Sequence, residues 1–311
     1  MHIVVLGAAA GGGLPQWNCG CTNCTQSRAG IGPSVDHHLP MGTQTSVAVS
    51  VDAEHWFLIN ASPDLRQQVN ATRQLHPRTG ELRHTPIAGV ILTNGEIDAI
   101  AGLLSMREGS PFSIYAHDKV LDTLRDNSIF NVLRAPKVQR IPITIDTPFE
   151  PQLLDGAASG LRVLPFNVPG KAAWFLDGIR TNDTPGDTLG LRIEELSTGH
   201  HFYFIAACAR VTPELKTRLA NAPLVFFDGT VWHDDEMIAA GLATKTGQDM
   251  GHIAMAGEHG AIAELADLCI AQKIFLHINN SNPVLRQGSP ERVNAEAAGW
   301  VIARDGMEIS L

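Results

Sequence analysis

Three short stretches of the chain, "VIL", "LVFF" and "IFL", are unbroken apolar runs that stop abruptly at polar side chains. The first is followed by Thr93, Asn94, Glu96 and Asp98, the second by Asp228, and the third by His277, Asn279 and Asn280. A strand with one face in water alternates apolar and polar residues, whereas an unbroken apolar run needs cover on both faces. Such strands sit inside a layered α/β structure, and polar groups gathered at their ends are how many metal sites are built on a rigid sheet. "HIVVLG", "FSIYAH", "GLRVLPFNV", "TLGLRIEE", "HFYFIAA" and "GWVIARDG" read as further strands, and "TSVAVSVD" with "HWFLINA" as a hairpin turning at Asp52–Ala53–Glu54. Helical signals open "DKVLDTLRDN" at Asp118, and also "TPELKTRLAN", "GAIAELADLC" and "SPERVNAEAAG". Hairpins come first and strand–helix alternation later. This order predicts an α/β chain with two mixed sheets packed face to face and helices outside, in one domain over residues 1–311.

Composition narrows the function classes. Hydrophobic content of 44% and charged content of 18% over 311 residues are those of a soluble, cored protein. With 23 basic and 32 acidic residues the net charge is −9, which argues against nucleic acid or an anionic membrane surface as partner. The N-terminal "MHIVVLGAAAGGGLPQW" has no Lys or Arg ahead of its apolar run, so it reads as a strand over 2–6 and a glycine turn, not a signal peptide. No stretch approaches the roughly 18 apolar residues of a membrane span. The expected compartment is a reducing cytoplasm, where clustered cysteines bind metal or do redox chemistry more often than they form disulfides.

Such a cluster is present. "WNCGCTNC" holds Cys19, Cys21 and Cys24 as C-x-C-x-x-C, three of the chain's five cysteines. Three soft thiolates select zinc and leave one tetrahedral position open, while Cys21 and Cys24 alone have the spacing of a redox pair. Cys208 and Cys269 read as buried, inert thiols. The preceding "GAAAGGGLP" lacks the third glycine of a dinucleotide fingerprint and the Lys-Ser/Thr of a phosphate loop, so it predicts a tight turn that brings backbone close to a pocket. "DGIRTNDTPGDT", residues 177–188, reads as a lid or a long connection.

Taken together, "VLGAAAGGGLPQWNC", "LINASPDLRQQ", "ILTNGEIDAIAGLLSMREG", "FFDGTVWHDDEM", "TKTGQDMGH" and "HINNSNPVL" followed by "SPERVNAEAAGW" resemble the pyrroloquinoline quinone (PQQ) biosynthesis protein B family, a distant branch of the metallo-β-lactamase superfamily. The resemblance runs from the first strand to the last residues and implies an αββα sandwich of two mixed β-sheets flanked by helices. The superfamily's H-x-H-x-D-H metal motif falls on "NGEIDA": Asn94 and Glu96 stand at the first two histidines, Asp98 is kept, and Ala99 replaces the last. His277 matches the final superfamily histidine, Phe166 replaces another ligand, and Cys208 falls where a bridging aspartate is usual.

The implied activity is iron- and dioxygen-dependent hydroxylation of the tyrosine ring in a cross-linked Glu-Tyr diamino acid, the PQQ precursor. Its active-site metal would be Fe2+ or another divalent ion. Asp98 and His277 are the expected ligands, with Asn94, Glu96, His252, Cys208 or water supplying more. Asp228 and His252 match a carboxylate–histidine pair that manages protons in superfamily hydrolases. The resemblance also implies a structural Zn2+ on Cys19, Cys21 and Cys24, associated with a homodimer. Its fourth ligand is left to His277, His37, His38 or a partner chain. An anionic substrate calls for cations, for which Arg66 and Arg107 are candidates, with Asn279 as a further substrate contact. Rival readings are a carrier of the finished quinone and a metallo-hydrolase, the second disfavoured because two-metal hydrolysis needs more ligands.

Overall fold

The computed structural model describes residues 1–30, 39–176 and 184–311. In chain order the first sheet is built from β1 (His2–Gly7), β2 (Ser46–Ser50), β3 (Trp56–Ile59), β4 (Ile87–Ile91), β5 (Phe112–Ala116) and β6 (Val138–Pro142). The second takes β7 (Leu161–Asn167), β8 (Leu189–Glu195), β9 (His201–Ile205), β10 (Leu224–Asp228), β11 (Gln272–Leu276) and β12 (Trp300–Ile302). The chain then returns to the first sheet, where β13 (Met307–Ser310) pairs antiparallel with β1. The strand orders are β13-β1-β2-β3-β4-β5-β6 and β12-β11-β10-β9-β8-β7.

Both sheets follow one plan. β1, β2 and β3 are antiparallel neighbours, and β3 to β6 are parallel. Likewise β7, β8 and β9 are antiparallel and β9 to β12 parallel. The unbroken apolar runs follow from the layering. Along β1, Ile3 and Val5 enter the layer between the sheets while Val4 and Leu6 enter the layer under the helices. In β10, Phe226 faces the inner layer and Phe227 the outer layer of the second sheet. Each fully buried phenylalanine contributes roughly 1.5–3 kcal/mol of transfer free energy. This is the αββα sandwich expected.

The predicted hairpin forms, with Val47 opposite Ile59, and its turn places Ala53 at φ 61°. Local differences have local causes. The helix Asp118–Asp126 is capped by His117, whose ring accepts from Lys119 N–H, and not by Asp118. "GAIAELADLC" makes one turn, Ala261–Glu264, because its cap position is Gly260, which has no side chain to hold the first N–H groups. A helix the sequence reading missed, Thr22–Ala29, starts directly on the cysteines with Cys21 as its cap.

Parallel strands send their C-terminal ends to one edge, and there the loops of the two sheets meet. Ala9, beyond β1, bridges to Ile278, beyond β11, and Asn94, beyond β4, bridges to Thr188. No helix among the described residues is long and apolar enough to cross a membrane.

Candidate functional site

Three loops converge at that edge, after β4, β10 and β11. Asp98 lies in the single turn Ile97–Ile100 after β4. The glycine run passes beside it: a Cβ on Gly11 would sit 3.5 Å from Asp98 Oδ2, and Gly12 has φ +94°. The close backbone approach expected of this run is made to Asp98. His277 follows β11 at φ 57°, a left-handed conformation that is uncommon away from glycine and costs on the order of 1 kcal/mol or more.

Asp228, at the end of β10, is fully buried and accepts four hydrogen bonds. Its Oδ1 takes Thr230 N–H at 3.0 Å and Thr230 Oγ–H at 2.7 Å; its Oδ2 takes Cys208 N–H at 2.9 Å and His252 Nδ1 at 2.8 Å. The carboxylate oxygen accepts, so His252 donates through Nδ1 and is left with Nε2 as its other ring nitrogen. Thr230 Oγ has one hydrogen. Having given it to Asp228, the hydroxyl accepts from His277 Nδ1 at 2.8 Å, so Nδ1 of that ring carries a hydrogen.

The two imidazoles stack with centroids 5.0 Å apart and 21° between planes. Both Nδ1 atoms are anchored at Thr230 Oγ, at 3.0 and 2.8 Å, so both Nε2 atoms leave the pair on the side away from it. On that side Asp98 Oδ2 meets His277 Nε2 at 3.0 Å. Burial opposes charge on both members of this pair. The hydrogen bond and the attraction between them outweigh it, holding Asp98 below and His277 above their ordinary ranges.

Asp228, His252 and His277 have ligand atoms within 4.8 Å of one another. Asp228 is nonetheless the wrong third ligand, because all its acceptor directions are taken. Asp98 and His277 already meet at 3.0 Å, and with His252, whose ring stacks on His277, they make a two-histidine, one-carboxylate set of the kind that binds divalent metals.

The other expected ligands are turned elsewhere. Asn94 Oδ1 accepts from Glu96 N–H at 3.0 Å, and Glu96 Oε1 binds Lys171 Nζ at 2.8 Å and Trp174 N–H at 3.0 Å. Lys171, absent from the sequence expectations, is thus the cation joined to this loop. Ala99 is only 3% exposed and packs in the layer between the first sheet and its helices. Cys208 Sγ bonds Arg210 O at 3.1 Å, and its N–H, not its thiol, serves Asp228. Phe166 is buried with its ring edge-on to Tyr203.

Arg66 is exposed on the helix Leu65–Ala71. Arg107 is exposed as well, pairing with Glu108 at 3.4 Å and donating to Leu104 O at 2.8 Å. Among the described residues neither touches Asp98, His252 or His277. Asn279 is buried and donates to Ser281 Oγ at 2.6 Å. Cys269 is exposed, contrary to the buried thiol expected. His37, His38 and the start of the 177–188 loop lie outside the described residues.

The cysteine cluster forms a second centre. The Sγ atoms of Cys19, Cys21 and Cys24 lie within 4.8 Å of one another. Over them stands Asn280, a candidate for the fourth position that the sequence leaves open: its Nδ2 is 3.2 Å from Cys19 Sγ, 3.2 Å from Cys24 Sγ and 3.6 Å from Cys21 Sγ. A half-turn of this amide brings Oδ1, a metal-binding oxygen, to the same place. Asn280 is three residues beyond His277, so one segment serves both centres. Asn23 fastens it, donating to the carbonyls of Asn280 and Asn282 at 2.9 Å each. Burial pushes the Cys24 thiol up to about 11. Burial has the same sense at Cys21, but the Cys24 N–H and the neighbouring sulfurs outweigh it and lower that thiol. Three sulfurs and one amide, closed in by protein, fit a tetrahedral structural zinc.

The model of the beta-lactamase superfamily domain matches residues 55–278. Coenzyme PQQ synthesis protein B of Bradyrhizobium diazoefficiens is 65% identical, and that of Rhodopseudomonas palustris 64%, each alignment covering 100% of both chains. The crystal structure of Zn(2+)-bound PqqB from Methylobacterium extorquens superposes with a TM-score of 0.93 at 49% identity, covering 100% of each chain.

Proposed function

The chain belongs to the coenzyme PQQ synthesis protein B family of the beta-lactamase superfamily, and from that premise we propose that it serves PQQ synthesis as a metal-dependent enzyme. Its reaction is the dioxygen-dependent hydroxylation of the tyrosine-derived ring of a cross-linked Glu-Tyr diamino acid. The observation that carries this reading is the meeting of Asp98 with His277 beside the His252 ring. A divalent iron held by Asp98 and His277, with His252 as third donor, would supply the one-electron chemistry with dioxygen that a closed-shell zinc cannot.

The chain's own residues do the rest. Asp228 and Thr230 hold both imidazoles at Nδ1, which leaves Nε2 of each ring as the atom to meet a cation or a phenolic proton; at His277 a cation would displace the proton shared with Asp98. Lys171, tied to Glu96 beside the site, offers a positive charge to an anionic substrate. The cysteine centre with Asn280 holds the structural zinc. A two-metal hydrolase fits poorly, because the carboxylate that would bridge two ions is absent at Cys208 and Asp228 is committed to hydrogen bonds.

Elemental analysis after anaerobic Fe(II) loading and desalting, paired with oxygen uptake on the diamino acid, tests the proposal. Asp98→Ala and His277→Ala are expected to lose iron and oxygen uptake but keep one zinc, whereas Cys21→Ser loses the zinc. Iron retention and unchanged oxygen uptake in Asp98→Ala would refute the site.

A further inference from the structure

The segments that carry the candidate site also border a second cleft, of about 700 Å³, which none of Asp98, His252 or His277 lines. Its size is in the roughly 300–1,000 Å³ range of small-molecule sites. Ala8, Ile278, Leu285 and Ile302 give it apolar walls, and Arg286, Arg292 and Arg304 surround them. The lining carboxylate, Asp305, is fully committed. Its Oδ1 accepts from Ala8 N–H at 3.2 Å, and its Oδ2 from Thr43 N–H at 2.8 Å and Thr43 Oγ at 2.7 Å. Arg292 shares its charge with the half-exposed Glu296. Among the described residues, the guanidinium groups of Arg286 and Arg304 have neither an ion pair nor a hydrogen bond.

On a chain of net charge −9, Arg286, Arg292 and Arg304 outnumber Asp305 and Glu296 around these apolar walls, a local excess of positive charge. Guanidinium forks match carboxylates two bonds at a time, and the apolar walls favour a flat ring body over a bare anion such as phosphate. We propose that this cleft binds a planar aromatic polycarboxylate, separately from the Asp98–His277 centre. The choice of PQQ, a planar tricarboxylate, as probe rests on the biosynthetic role proposed above; the cleft does not.

Equilibrium dialysis of PQQ tests it on wild-type chain, on the double variant Arg286→Ala with Arg304→Ala, and on Asp98→Ala. A binding component that survives Asp98→Ala within twofold, and weakens about tenfold or more in the double variant, is the expected result. Both arginines lack partners to lose, so the double variant should melt with wild type; Arg304→Gln, on an exposed side chain, gives a smaller loss in the same direction if it does not. Equal binding by these arginine variants, or no PQQ binding at all, overturns the proposal. So does loss of all binding in Asp98→Ala, which locates the ligand at the other centre, or full displacement by inorganic phosphate, which makes this an anion site only. Failure of iron loading would sink the oxygenase reading and leave this result untouched.

Discussion

Replacing Thr230 with valine isolates what the hydroxyl between the two histidines does. Valine keeps the branched shape, so the packing changes little while the polar contacts go. Asp228 Oδ1 loses its 2.7 Å bond, and His277 loses its partner at Nδ1. A buried group stripped of its partner costs about 1–3 kcal/mol. Asp228 is 0% exposed and bears nearly the full cost; the His277 side chain, 12% exposed, can recruit some water. The expected destabilisation is about 2–4 kcal/mol, which for a chain of this size lowers Tm by roughly 3–6 °C. Freed rings should also weaken divalent-metal binding about 10- to 100-fold. Thermal melts by circular dichroism and an anaerobic Co(II) titration read the two effects, and Thr230→Ser should restore both. A valine variant that melts with wild type and binds Co(II) equally well would refute the assigned hydrogen bonds.

Asn280→Ala should release zinc to a competing chelator about tenfold more readily, and Asn280→Asp should not; equal release by alanine removes Asn280 from the centre. Asp52 is held down to about 2: burial would raise it, but the His55 ring and the N–H groups of the hairpin turn outweigh that. Its contribution is therefore present above about pH 4 and is lost as pH falls through about 2. Because its side chain is 47% exposed, screening cuts the roughly 2 kcal/mol implied by the shift to below about 1 kcal/mol. Asp52→Ala should destabilise slightly at pH 6 and not at pH 2, and an equal loss at both values contradicts the sign. Ala99→His enlarges a buried position, costing about 1–3 kcal/mol, while adding an imidazole beside Asp98. Tighter Fe(II) binding with a lower Tm is expected; equal Fe(II) affinity would show that Ala99 leaves no gap in the ligand set.

The layers were legible because both-face burial writes itself into the sequence as unbroken apolar runs, and the polar residue ending each run marks the edge where loops meet. Asp98, Asp228 and His277 were found that way. Thr230 was not, since a threonine in "DGT" reads as part of a turn, and its bridging role exists only once two distant loops bring His252 and His277 together. Lys171 was missed for a similar reason: its partner Glu96 is 75 residues away, and the arginines nearest the motifs drew the substrate role instead. Proximity in sequence misled there, because Arg66, on the helix Leu65–Ala71, and Arg107, at the end of a helical turn, both face solvent.

Asn280 is the instructive omission. The cysteine spacing offers three ligands and leaves the fourth to a histidine or to a residue of a partner chain. The folded chain supplies an amide from the "HINN" stretch because His277 turns left-handed at the end of β11, swinging the following residues across to the cysteine loop. Asn282 continues the arrangement, completely buried and donating to the carbonyls of Gly229 and Thr230. The chain from 277 to 282 is thus pinned at one end by Thr230, in the middle by the sulfurs and Asn23, and beyond by Asn282. A conformation costly for histidine persists because these contacts on both sides over-determine it. The cysteine centre is therefore part of what aims the His277 ring at Asp98.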